Sequence, residues 1–153
     1  MELPEFPELE TLSKKYDFKI RKERRPYSLT VIYNKTFVIP EVGKLENEFI
    51  ASIEIISWKK VYEEYGKRIK PYDYEVRVHA SGKGYETFWM SRTLQGNDLH
   101  ALVKEACSII EKEYNRWVGF LEKKKKRLLG REEGLWKWFC LIPIASMFLF
   151  RRR

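Results

Sequence analysis

The chain has 153 residues, of which 34% are charged, and a formal net charge of +8. That length supports one domain with appendages and a core of its own. A basic balance favours anionic partners (nucleic acid, lipid headgroups or an acidic protein) and excludes an acidic, disordered chain. Cys107 and Cys140 lie far apart, as do His79 and His100. No ligand spacing groups them, so we expect no metal, no cofactor and no disulfide framework, and a reducing intracellular setting. Gln95 is the only glutamine while Lys and Glu are plentiful, a bias of proteins from hot environments.

Residues 1–16 form an acidic arm. Glu2, Glu5, Glu8 and Glu10 interrupt any apolar run, which argues against a signal peptide. Pro7 suits the first turn of a short helix reaching Tyr16. The charge then reverses through Lys14, Lys15, Lys19, Arg21, Lys22, Arg24 and Arg25.

Strands follow over residues 17–92. Phe18 and Ile20 alternate with Lys19 and Arg21, and Leu29, Val31 and Tyr33 alternate with Ser28 and Thr30. Asn34–Lys35 reads as a tight turn into Thr36–Ile39, ended by Pro40. Phe49, Ala51, Ile53 and Ile55 line one face of the next strand. A loop from Glu63 to Pro71 carries Lys67, Arg68 and Lys70. Tyr72, Tyr74, Val76 and Val78 alternate with Asp73, Glu75, Arg77 and His79, the clearest period-two run. Ser81-Gly82-Lys83-Gly84 then reads as a hairpin turn, with Tyr85–Ser91 returning.

Residues 98–129 read as one amphipathic helix, about 45–50 Å long. Leu99, Leu102, Val103, Ala106, Ile110, Tyr114, Trp117 and Leu121 recur at steps of three and four. Gly96, Asn97 and Asp98 mark its start. Lys123, Lys124, Lys125, Lys126 and Arg127 suit its negative end, and Gly130 suits a left-handed stop. Strands followed by a helix indicate an α+β fold: an antiparallel sheet of four to six short strands with the helix on one face, residues 17–130 in all.

Residues 134–153 form an apolar segment with a basic end. Trp136, Trp138, Phe139, Leu141, Ile142, Ile144, Phe148, Leu149 and Phe150 are its membrane-facing candidates, framed by tryptophans and charges as membrane segments are. Seventeen residues of helix, Gly134 to Phe150, span about 25 Å, short of a hydrocarbon core of about 30 Å. The segment therefore spans, re-enters, or packs on the domain or a partner. The Lys123–Arg127 run suits an anionic lipid surface, and equally a solvated helix end.

The alternative is nucleic-acid binding through Lys19, Arg21, Lys22, Arg24 and Arg25, joined by Lys59, Lys60, Lys67, Arg68 and Lys70. Tyr27, Tyr33, Tyr85 or Trp89 would stack on bases if exposed. Against it, Tyr72 and Tyr74 share a face with Val76 and Val78, which reads as core. Ser81-Gly82-Lys83-Gly84 lacks phosphate-loop spacing and lies between strands. Glu63, Glu64, Asp73 and Glu75 form no acid–base pair that sequence can show, so no enzymatic activity and no small-molecule substrate are expected.

The Lys/Glu/Ile/Tyr-rich body, as in Ile53-Glu54-Ile55-Ile56 and Lys67-Arg68-Ile69-Lys70, and the apolar terminus Phe139–Phe150 resemble small uncharacterised proteins of spindle-shaped viruses of thermophilic archaea. That resemblance implies an intracellular, host-membrane-associated protein and transfers no site residue. The expectation is a non-enzymatic adaptor or assembly protein at the cytoplasmic face of a membrane, contacting lipid and a protein partner.

Overall fold

The computed structural model describes residues 3–38 and 46–138, with side-chain surroundings through residue 127. The fold is α+β. Helix α1 (Pro7–Tyr16) precedes strands β1 (Lys19–Arg24), β2 (Ser28–Val38) and β3 (Glu46–Ser57). Helix α2 (Trp58–Tyr65), strands β4 (Tyr74–Lys83) and β5 (Phe88–Gly96) and helix α3 (Leu99–Trp138) follow. All five strands form one antiparallel sheet in the order β1-β2-β3-β4-β5.

The expected helix stripe is the core. Leu99, Leu102, Val103, Ala106, Ile110, Tyr114, Trp117 and Leu121 are all buried. They lie against Leu29, Val31 and Tyr33 of β2, the odd-numbered residues Phe49–Ile55 of β3, and Val76, Val78 and Ala80 of β4. Helix α1 joins the same face through Leu9 and Leu12. Phe18, Phe49, Tyr114 and Trp117 form an aromatic cluster: Phe18 meets Tyr114 edge-on at 5.0 Å between ring centroids and Phe49 meets Trp117 at 5.8 Å. Helices α1 and α3 both pack on this face of the sheet.

Four local expectations need correction. No turn occurs at Asn34–Lys35, because β2 runs unbroken from Ser28 to Val38. Asn34 pairs with Ile50 and Lys35 with Phe49, so the ladder to β3 satisfies that backbone. The β4–β5 turn starts at Gly84, where φ is 130°, and Ser81, Gly82 and Lys83 belong to β4. Helix α2 replaces part of the expected loop. Ser57 caps it, its hydroxyl accepting from the Lys60 N–H at 3.2 Å, and Gly66 ends it in the left-handed region. Helix α3 starts as expected, with Asp98 Oδ1 accepting from the Ala101 N–H at 3.2 Å, but passes through Gly130 to Trp138. At 40 residues it is about 60 Å long.

Candidate functional surfaces

The far end of α3 is the first surface. Beyond Leu121, the last of the buried stripe, α3 passes the β4–β5 hairpin. There Lys124 Nζ donates to the Tyr85 carbonyl at 2.7 Å and lies 3.9 Å from Glu86. Arg127 reaches the same carboxylate at 3.9 Å. Lys123 and Lys126 are exposed. The expected anionic-surface residues are therefore divided: Lys124 and Arg127 also brace the helix on the hairpin, Lys125 is likewise engaged, and Lys123 and Lys126 face solvent.

Past Arg127 the helix backbone continues for eleven residues, from Leu128 to Trp138, about 16 Å. Trp136 and Trp138 stand on its final turn. The remaining membrane candidates, Phe139, Leu141, Ile142, Ile144, Phe148, Leu149 and Phe150, lie outside the described residues. No described helix is long and apolar enough to cross a membrane.

The basic segment is the second surface, and the fold splits it. Most of the segment forms an edge strand, β1. The register places Lys19 and Arg21 on the open sheet face, opposite Asn34 and Ile32. Lys22 and Arg24 fall on the helix-covered face, opposite Val31 and Leu29. Arg25 sits in the turn to β2. Lys22 pairs with Glu10, Arg21 lies 3.3 Å and Arg25 3.9 Å from Glu23, and Lys15 meets Glu111 at 2.5 Å. That last contact raises the Lys15 pKa and holds Glu111 below the usual carboxylate range, chiefly through the side-chain hydrogen bond.

The second basic group, Lys59, Lys60, Lys67, Arg68 and Lys70, lies on α2 and the loop after it, at the sheet end that also holds the β1–β2 turn. Arg68 is 3.7 Å from Asp73, and Lys70 stands over the Trp58 ring at 5.5 Å. Of the candidate stacking residues, Tyr33 is fully buried, its hydroxyl donating to the Leu9 carbonyl at 3.0 Å. Tyr85 is half-buried beside α3. Tyr27 donates to Glu64 at 2.5 Å, which pushes its pKa up. Trp89 is 73% exposed on the open face. It closes the cross-strand row Lys19, Asn34, Ile50, Ser81, Trp89, about 19 Å from Lys19 across four strand spacings.

The carboxylates singled out in the sequence have separate surroundings. Glu64 is held by Tyr27, and Glu63 is exposed. Glu75 is buried, accepting from the Tyr72 hydroxyl at 2.8 Å and from Arg77 Nε at 2.7 Å. Those bonds satisfy it as a structural carboxylate. A cleft of about 410 Å³ is lined by Leu3, Pro4, Lys59, Lys60, Glu63 and His100 among others. His100 packs edge-on to Phe6, and His79 stands apart on the open sheet face. Burial pushes the Cys107 thiol up to about 12, so it is no nucleophile near neutral pH. Among the described residues no group of three His, Cys, Asp or Glu could hold a metal ion.

Sequence reading missed the contrast between the two sheet edges. Strand β1 has six residues, five of them charged; β5 has nine, with Arg92 alone charged. Counting charges per strand would have shown the difference, but not that these strands are the edges. No family model, no curated protein and no solved structure matches this chain.

Proposed function

We propose that this is a non-enzymatic adaptor or assembly protein attached to a membrane by its C-terminal apolar segment. One observation carries the reading. Residues 122–153 hold ten basic and three acidic residues, a net +7 of the chain's +8. Residues 1–121 hold twenty basic and nineteen acidic, a net +1. The positive charge of this protein is concentrated at the end of α3 and around the apolar run that follows it, while residues 1–121 are nearly balanced.

That distribution suits an anionic bilayer surface. A basic residue near such a surface contributes about 1 kcal/mol, and apolar burial adds to it. Helix α3 continues to Trp138, well past Leu121, the last residue of its buried stripe, so lipid contact at its end need not disturb the core. The apolar run is short for a straight span, which favours interfacial or re-entrant seating with Trp136 and Trp138 at headgroup level. The seat at the cytoplasmic face belongs to the same proposal. Nucleic-acid binding through β1 has less support, because its cations are divided between two faces and several are paired with carboxylates.

Liposome flotation tests the proposal, comparing the full chain with one truncated after Gly130, on anionic vesicles at low and high salt. The full chain floats at both salt concentrations. The truncated chain, which keeps Lys123–Arg127, floats only at low salt. If the full chain leaves the vesicles at high salt, the segment does not insert and the reading fails.

A further inference from the structure

We infer that a second copy of this chain pairs with β5, extending the sheet edge to edge. The inference rests on the fold alone and not on membrane attachment. An edge strand presents a row of unpaired backbone N–H and C=O groups, and short length and charge are common ways to block pairing there. Strand β1 uses both, with five charges in six residues. Strand β5 uses neither. Among the described residues it pairs only with β4, and it carries Trp89, the most exposed large hydrophobic side chain of those residues.

The strand's own sequence selects the occupant. Two identical antiparallel strands meet about a two-fold axis, so each register sets one residue opposite itself. Centring on Arg92 would oppose two guanidiniums, and like charges directly opposite are destabilising. Centring on Ser91 and centring on Thr93 give equal overlaps free of that clash, and only the first includes Trp89. Centring on Ser91 sets Trp89 across from Thr93, Met90 across from Arg92 and Phe88 across from Leu94 of the second copy. Every such pair matches face to face, because residues 89, 91, 93 and 95 point to the open side. The same operation on β1 opposes Arg21 with Arg21 or Lys22 with Lys22. A foreign extended peptide finds one charge and one exposed ring on β5, little by which to be chosen. The resulting ten-stranded sheet carries both α3 helices on one face, so an attached dimer lies with that face toward the bilayer.

Cysteine cross-linking of the full chain tests this in a Cys140→Ser background. Opposed residues in an antiparallel pair have Cα atoms about 4.5–5.5 Å apart, within the disulfide range of about 4.4–6.8 Å. Under mild oxidation Ser91→Cys forms a covalent dimer, at least tenfold faster than Arg21→Cys on the opposite edge. Adding Trp89→Lys and Thr93→Lys to Ser91→Cys abolishes the dimer, with near-ultraviolet circular dichroism confirming that each variant stays folded. Equal rates for Ser91→Cys and Arg21→Cys, or a dimer indifferent to the added lysines, would overturn the inference. So would capture of Ser91→Cys by a cysteine-bearing extended peptide in preference to a second copy.

Discussion

Replacing Gly82 by alanine should destabilise the fold far more than an exposed strand substitution would. Gly82 lies in β4 on the helix-covered face, under Trp117. A Cβ there would stand 2.6 Å from Cε2 and Nε1 of Trp117 and 2.7 Å from Cε1 of Phe88. Ordinary contact begins near 3.4 Å, so the indole must withdraw by about 1 Å or the strands must part. Neither is easy. Trp117 is buried, packs against Phe37, Phe49 and Phe88, and donates its indole N–H to the Glu86 carbonyl at 3.0 Å. Overpacking of this kind costs about 1–3 kcal/mol. Straining or losing the indole hydrogen bond adds about 1 kcal/mol or more. Against these, alanine gains about 0.5–1 kcal/mol by restricting the unfolded chain. The net expectation is a loss of about 1–3.5 kcal/mol. Urea denaturation followed by tryptophan fluorescence measures it. In a Trp117→Leu background the same substitution should cost much less, since the clashing ring is gone. A loss below about 0.5 kcal/mol in the parent protein would refute the close approach of α3 to β4.

Two further outcomes follow from the helices. In a Cys140→Ser background, Cys107 should resist thiol reagents at neutral pH and react only on unfolding. Its folded pKa of about 12 lies above the unfolded value, so its contribution to stability is complete below about pH 8.5 and fades as pH rises toward 12; a thiol labelled rapidly at pH 7.5 would contradict its burial. Asp98→Ala removes the side-chain cap of α3 and should cost about 0.5–2 kcal/mol, read from the same urea transition, whereas Asp98→Asn should retain most of it.

How much of this was legible in the sequence depended on how local the signal was. All eight residues of the expected α3 stripe are buried, because a 3.6-residue period depends only on neighbouring positions; Cys107 and Ile109, buried at its margin, were not in it. The alternation in β4 was equally plain. Asn34–Lys35 misled because two adjacent polar residues have turn composition, although Asn34 lies on the open face and Lys35 on the helix-covered one, where it donates to the Tyr16 carbonyl; only the ladder to β3 distinguishes strand from turn. Gly82 misled for the converse reason: a glycine that makes room for a tryptophan 35 positions later looks like a glycine that bends the chain. Helix α2 escaped notice because Val61 is its one buried residue. The apolar terminus and its flanking charges were visible at once, as composition. The edge positions of β1 and β5 were not, since strand order is decided by partners far along the chain.

The strand order has a consequence for how the molecule is made. Every neighbour in the sheet is a neighbour in the chain, so the meander zips hairpin by hairpin as the polypeptide leaves the ribosome, without waiting for a distant partner. Its main cover, the stretch of α3 from Leu99 to Leu121, is translated only after β5. For that interval Val31, Ile53, Val76 and their neighbours form a finished but wet apolar surface, the state most exposed to aggregation. A synonymous codon change that slows translation once β5 has emerged and α3 is still inside the ribosome would prolong that state and lower the yield of soluble chains, while leaving the finished protein unaltered.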